Sequence, residues 1–347
     1  MSPADSILIT GGAGFIGTNL ADALASDGRR VVLLDDLSRH GSKTNATWLQ
    51  QRHPKLVKLV TDDVRSARLD PLVRASSTVF HLAAQVAVTT SLADPMPDFE
   101  VNAGGTLRLL EAARRANPPP TLVYTSTNKV YGALEDLDLE LSNTGWRPAG
   151  GGAAGVSERR HLDLHSPYGC SKGSADQYVR DYARSFGLRT AVLRMSCIYG
   201  PHQNGTEDQG WVAHFARRAL GGRPVTLYGD GHQVRDILHV RDLVRAFRLA
   251  EERAQPGDIY NIGGGPGNAV SILQVLREIE QLSGSELKVE HDTWRVGDQR
   301  WYVTDFAEFT AATGWLPEIS WRDGLTELVA WLGEHELAAG AGGARVA

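Results

Sequence analysis

A tyrosine and a lysine are the residues of this chain best placed to do chemistry. Tyr168-Gly169-Cys170-Ser171-Lys172 sets a phenol and an ammonium at i and i+4, on one face if the segment is helical. A nearby ammonium favours the phenolate. Tyr168 is therefore expected to have a lowered pKa and to take a proton from a substrate hydroxyl near neutral pH. The spacing alone also describes a surface Tyr/Lys pair. Its weight comes from a second motif upstream, Thr10-Gly11-Gly12-Ala13-Gly14-Phe15-Ile16-Gly17. In a GxxGxxG run the first glycine permits a tight turn and the second lets main chain approach a pyrophosphate. The third lets a helix pack close to a strand. A helix opening there offers free N–H groups and a positive dipole end to phosphates.

Two carboxylate sites extend this motif. Asp35, followed by Asp36, closes the second apolar run. A carboxylate there accepts hydrogen bonds from ribose hydroxyls and repels a 2′-phosphate, which favours NAD over NADP. Arg39 is a mild signal the other way. Asp63, in Asp62-Asp63-Val64, ends the third run, where it could meet an adenine amino group or simply cap a helix.

The elements that must position these groups follow from the apolar pattern. Short β-branched runs at 7–10, 31–34, 56–61, 78–82, 122–126 and 191–195 alternate with helical stretches near 15–26, 101–116 and 171–186. That rhythm predicts βαβ units and a doubly wound parallel sheet of the Rossmann type, an α/β fold. After Met195 the rhythm breaks, and a smaller α/β domain is expected. Residues 1–195 with 236–262 are assigned to cofactor binding, and 196–235 with 263–335 to substrate. Residues 336–347, rich in Gly and Ala, are expected to be disordered. Residues 133–165 form a long insertion, read as a loop.

Composition narrows the classes. Lys plus Arg number 36 against 41 Asp plus Glu, a net charge of −5, so nucleic acid is not the expected partner. No apolar run approaches the ~20 residues of a membrane span. The two cysteines, Cys170 and Cys197, lack a CxxC spacing, and no cationic flank precedes the first apolar run. A reducing, cytoplasmic setting is expected. Glu207-Asp208 lacks histidine at ligand spacing, and His202 and His214 stand singly, so no metal is expected.

Tyr124-Thr125-Ser126-Thr127-Asn128-Lys129-Val130-Tyr131-Gly132 closes the fifth run. With the motifs above, this resembles the extended short-chain dehydrogenase/reductase family, in its NAD-dependent nucleotide-sugar epimerase and dehydratase group. The resemblance spans residues 6–333. It implies a catalytic triad of Thr127, Tyr168 and Lys172, with Ser126 as second choice for the hydroxyl. Thr127 would otherwise be a turn former. It implies NAD contacts from Gly11, Gly14, Phe15, Ile16, Gly17, Asp35, Asp36, Asp63 and Val64. Leu82, Ala83, Ala84, Gln85, Asn102, Ser126, Met195 and Cys197 extend that set, Asn102 in a structural or nicotinamide-side place. Lys172 would also bond the nicotinamide ribose. On the substrate side it implies Thr127, Asn128, Lys129, Ser196, His202, Gln209, Arg235, Arg295 and Asp298. The arginines of Gly229–Asp236 and Arg295-Val296-Gly297-Asp298 would grip a diphosphate with their planar forks, and Asp298 a ribose hydroxyl. The bland reading of both arginines is a surface salt bridge.

Departures narrow the branch. Dehydratases of the group carry Thr-Asp-Glu where this chain has Thr127-Asn128-Lys129, so the acid and base for eliminating water are missing. Many relatives carry Asn at the position of Cys197. The runs 125–132, 166–172 and 195–211, with the insertion, resemble the branch of CDP-paratose 2-epimerases, also called CDP-tyvelose epimerases. That resemblance implies oxidation at C2 of a CDP-hexose to a keto-sugar, rotation of the sugar, and hydride return to the opposite face. Lys129 would contact substrate hydroxyls or hold Glu158 or Glu207. A homodimer through a four-helix interface, or a tetramer built on it, is also implied. Two other readings stand beside this one: a UDP-sugar 4-epimerase or C4-oxidising decarboxylase, and a catalytically silent NAD-binding regulatory protein.

Overall fold

The structure, a computed structural model, describes residues 6–151, 155–295 and 297–343, with side chains described through residue 335. In chain order the elements begin β1 (Ser6–Thr10), α1 (Phe15–Ser26), β2 (Arg30–Asp35), α2 (Ser42–Arg52), β3 (Val57–Thr61), α3 (Leu69–Arg74), β4 (Ser76–His81), α4 (Val88–Ala93), α5 (Pro95–Phe99), α6 (Gly105–Arg114) and β5 (Thr121–Thr127). They continue β6 (Leu139–Ser142), β7 (Gly145–Pro148), α7 (Ser166–Phe186), β8 (Thr190–Met195), β9 (Cys197–Tyr199), α8 (Trp211–Leu220), β10 (Val225–Tyr228), β11 (Val234–His239), α9 (Val240–Arg253) and β12 (Asp258–Ile262). The last are β13 (Ala269–Ser271), α10 (Ile272–Ser283), β14 (Val289–Asp292), β15 (Trp301–Tyr302), α11 (Ala307–Thr313) and α12 (Trp321–Gly343).

Seven parallel strands form the main sheet in the order β12-β8-β5-β4-β1-β2-β3. The order reverses between β1 and β4, the crevice where doubly wound sheets bind ligands. Ile7, Ile9, Leu33, Phe80, Val123 and Leu193 bury one face against α1 and α9, while Leu8, Val79, Leu122 and Val192 bury the other against α6 and α7. Strands buried on both faces read as continuous apolar runs, and this is why their positions are plain in the sequence. The helix that carries Tyr168 starts with Pro167 in its first turn and stops at Gly187, which is left-handed at φ 70°.

A second core gathers Val212, Phe215, Leu227, Ile237, Val275, Leu325 and Leu328 around α8, α10 and α12. β11 belongs to this part, pairing with β9, β13 and β15. The expected boundary at residue 236 therefore falls inside a strand of the smaller sheet, and the chain returns to the main sheet through α9 and β12. The insertion contains a hairpin, β6 with β7, where a loop was expected. Trp146 N donates to His232 O at 3.0 Å, docking the hairpin on the smaller sheet. The helix α12 runs on to Gly343, into the segment expected to be disordered; its alanines favour helix strongly. Residues 344–347 lie outside the described residues.

Candidate active site

One large cleft of ≈ 1230 Å³ runs along the carboxyl ends of β1, β2, β4, β5 and β8. Its cofactor side is built from main chain. Gly11 has φ 67°, and a Cβ there would lie 2.7 Å from Ala83 N; one on Gly17 would lie 2.5 Å from Gly11 O. Gly14 is different: a Cβ would meet only Gly11 O, at 3.2 Å, so its other side is an open cradle at the start of α1. No side chain caps that helix, which leaves its first N–H groups for an anion.

Asp35 Oδ2 accepts from Ala13 N at 3.0 Å and Oδ1 from Leu37 N at 2.9 Å, fixing the carboxylate at the cleft. Burial raises its pKa, and those N–H bonds only partly oppose the rise. Asp36 accepts from Ser38 N and Oγ. Asp63 is engaged with the chain itself, accepting from Arg65 N and pairing with the Arg65 guanidinium at 2.7 Å. Phe15, Ile16, Val64, Leu82, Ala83, Ala84 and Gln85 line the wall. Ser126 Oγ and Gln85 Oε1 are buried there with no partner. An open glycine cradle, a fixed ribose-side carboxylate and two unspent polar atoms form a donor and acceptor set that fits NAD.

Asn102 does not reach the cleft. It is wholly buried, its Oδ1 accepting from Gln85 N and its Nδ2 facing Gln85 O, Asp98 and Ser171. The π-helical turn Glu100–Gly104 points its side chain inward as a clamp between the loop after β4 and α7. Of the two places expected for Asn102, its contacts are those of the structural one, and the cofactor contact is set aside.

Tyr168, Thr127 and Lys172 meet at the middle of the cleft. The Thr127 hydroxyl stands near enough to the Tyr168 phenol to favour its ionised form, and it points to Asn128 Oδ1 at 3.4 Å. Thr127 Oγ1 also accepts from Lys129 N at 3.2 Å, capping the 3₁₀ turn Asn128–Tyr131. Lys172 Nζ donates to Thr125 O at 2.6 Å and lies 4.3 Å from the Tyr124 ring centroid. Here the expected lowering of the Tyr168 pKa is reversed. Burial pushes the phenol up to about 12, the Thr127 hydroxyl and the Arg39 charge opposing it only in part. Burial likewise pushes Lys172 down to about 7, against Asp176 and Asp98. Desolvation outweighs the neighbouring charge for both groups.

The substrate side is built from charged side chains. Asp298 Oδ1 accepts from Arg235 Nη2 at 2.7 Å and lies 3.8 Å from Lys129 Nζ. Burial alone would raise the Asp298 carboxyl, but the two cations outweigh it and hold it below the usual range. Lys129 Nζ donates to Gly297 O at 3.2 Å. Its expected partners are elsewhere: Glu158 accepts from Asn261 N at 2.6 Å, and Glu207 faces Tyr228 and Arg295. Arg295 lies over the Tyr228 ring at 3.8 Å, with Asp208 3.5 Å away. Asn128 Nδ2 points to Gln299 Oε1 at 3.5 Å.

Several expected substrate residues line the cleft but are partly spent. Ser196 Oγ donates to Asp236. The His202 ring packs between Trp48 and Trp331, at 4.2 and 5.1 Å, which removes it from polar recognition. Burial pushes it down to about 4. Gln209 Oε1 accepts from Arg39 Nη2 at 2.5 Å, a bridge across the cleft mouth that the sequence did not suggest. Met195 and Cys197 form the floor, burial raising the thiol. Trp211, Tyr228 and Trp294 also line the cleft, unforeseen; Gly210 beside Trp211 and Gly229 beside Tyr228 are the available hint.

Residues 7–263 match the NAD dependent epimerase/dehydratase family. The chain is 41% identical over 340 residues to the CDP-paratose 2-epimerase of Salmonella typhi, covering 94% of this chain and 98% of that one. The UDP-glucose 4-epimerase of Thermus thermophilus, solved in complex with NAD, superposes with a TM-score of 0.78 at 33% identity, over 94% and 98% of the two chains. The dTDP-glucose 4,6-dehydratase DesIV of Streptomyces venezuelae, with NAD and TYD bound, gives 0.83 at 28% identity, over 96% and 98%.

Proposed function

The chain belongs to the NAD dependent epimerase/dehydratase family, as an NAD-dependent nucleotide-sugar epimerase, and from that premise we propose that it inverts C2 of a CDP-hexose of the paratose/tyvelose type. The observation that carries the choice of C2 and CDP is the similarity to the Salmonella typhi enzyme over nearly all of both chains. Dehydration is disfavoured by the site itself, where Lys129 faces Asp298 at the place a dehydratase needs a carboxylate.

NAD, held by the glycine cradle of Gly11, Gly14 and Gly17 and by Asp35, would supply a reversible hydride acceptor for the sugar carbon. Tyr168 takes the hydroxyl proton as the carbon is oxidised and gives it back after the keto-sugar has turned. Thr127 shares its hydroxyl with the same oxygen, and Lys172 holds the ribose side of the cofactor and supports the phenolate. Arg235 and Arg295 bind the diphosphate, exchanging their present acidic partners for it, and Asp298 meets a ribose hydroxyl. A sugar tethered only through its diphosphate can present both faces to one base. The part built on the main sheet serves the cofactor, and the part around β9–β11 and α8, α10 and α12 serves the substrate.

The protein acts as a homodimer, with α6 and α7 of each copy forming the interface; Tyr178 and Phe186 of α7 are 45% and 50% exposed on the free chain. It works in the cytoplasm, a setting supported by two free cysteines. Among the described residues no helix is long and apolar enough to cross a membrane.

The test is isotopic. CDP-hexoses deuterated at C2 or at C4 are mixed with the purified enzyme, and label on enzyme-bound NAD is read by mass spectrometry. Label from C2 is expected. Label from C4 alone, or turnover confined to UDP-, GDP- or dTDP-sugars, overturns the assignment.

A further inference from the structure

Behind the cleft wall lies a polar chain that the reaction above does not use. Asp176 sits on α7 one turn beyond Lys172, on the same helical face. Arg194 of β8 grips both of its oxygens, Nε to Oδ2 at 2.8 Å and Nη2 to Oδ1 at 3.0 Å. The two side chains are 4% and 0% exposed. The remaining guanidinium nitrogen donates to the Tyr131 hydroxyl at 3.0 Å, and Tyr131 donates to Asn261 Oδ1 at 2.7 Å. Asn261 Nδ2 then donates to Val156 O at 2.8 Å. The chain thus joins the helix of Tyr168 and Lys172, the turn of Asn128 and Lys129, and the insertion. Apolar side chains of similar volume often replace such a buried pair without loss of stability, so stability alone is a weak reason for it.

Lys172 supplies a stronger one. Its ammonium is buried, and its contacts with Thr125 O and the Tyr124 ring are not counter-ions. The titratable groups around it are Tyr168 and Asp176 on its own helix, Asp98 on α5, His81 on β4 and Tyr124 on β5. His81 lies between the Thr10 and Thr106 hydroxyls and is neutral, since burial pushes it down to about 3. Asp98 is engaged by Asn102 and Ser171. Asp176 and Asp98 are the charges that oppose the loss of the Lys172 proton on burial.

We propose that Asp176, clamped by Arg194, is a positioning residue that holds Lys172 as an ammonium against Thr125. Arg194 and Tyr131 tie that helix to the turn bearing Lys129. Only the catalytic consequence rests on the role given to Lys172 above.

In protein carrying ¹³Cε-lysine, the Lys172 signal is assigned by its loss in Lys172→Met and titrated by NMR. In Asp176→Asn the midpoint falls by about one unit, as expected when a close opposite charge is removed. On the alkaline side kcat drops roughly tenfold with KM nearly constant. In Tyr131→Phe, which leaves the ion pair in place, the midpoint stays. Where Asp176→Asn fails to fold, the uncharged Asp176→Leu/Arg194→Met pair is measured, and a smaller fall in the same direction is expected, because the Arg194 charge leaves with the carboxylate. An unchanged Lys172 midpoint in either charge-removed variant overturns the proposal. The midpoint is read without turnover, so this failure is distinct from failure of the epimerase reading.

Discussion

The cofactor side of the cleft is made of main chain, and the substrate side of charged side chains drawn from distant parts of the sequence. Gly11, Gly14 and Gly17 shape the first within a few residues of one another, and Asp35 is held there by backbone N–H groups. Lys129, Arg235 and Asp298 shape the second, each from a different segment, with Asp298 facing both cations. A main-chain site is rigid and specific for shape. A site of mutually paired charges is exchangeable, which suits a ligand that must be gripped, turned over and released.

Substitutions should separate the two sides, and the largest effect is expected at their seam. Tyr168→Phe should lower kcat by roughly 10²- to 10⁴-fold while NAD remains bound, read by turnover and by the cofactor content of the purified protein. Undiminished turnover would remove Tyr168 from the mechanism. Next comes Gly17→Ala, whose methyl would lie 2.5 Å from Gly11 O and 2.7 Å from Gly12 Cα. Main chain must shift, at a cost of about 1–3 kcal/mol, and NAD content should fall. Full NAD retention would show that the cradle is less rigid than the contrast requires.

Arg235→Ala should raise KM roughly 10- to 100-fold with NAD content unchanged, and should flatten the rise of KM with salt. A loss of NAD instead would mean that the two sides are not independent. The smallest effect concerns acid. Because Arg235 and Lys129 hold the folded Asp298 below its ordinary value of 3.8, its contribution is present above that value and is lost as pH falls through the lower folded one. Wild type should therefore lose its stability advantage over Asp298→Asn, under about 1 kcal/mol, as denaturation is followed below about pH 4. A constant difference across that range would mean the carboxylate is not held by the cations.

The same contrast explains what could be read from the sequence. Each groove-lining glycine, Asp35 and the Tyr168/Lys172 spacing depend on residues close in the chain, where strand, turn and helix rules apply directly. For Lys129 the sequence offers substrate hydroxyls, Glu158 or Glu207, while its acidic partner in the fold is Asp298, because pairing across folded elements has no local signature. For Asn102 the sequence leaves a structural and a nicotinamide-side place open, and the π-helical turn that turns it inward decides for the first. The insertion reads as a loop because the hairpin of β6 and β7 packs its apolar side chains in a cluster drawn from the turn at Val130 and Tyr131, the rest of the insertion and the smaller sheet, far apart in the chain.

By itself, then, the sequence determined the doubly wound sheet, the glycine cradle, the carboxylate beside it and the tyrosine–lysine face, all consequences of local period and spacing. Tertiary structure alone decided which acid meets which base and the sign of the two central pKa shifts. Both depend on how far each group is buried and what it is buried against, and burial is a property of the packed chain rather than of any stretch of it.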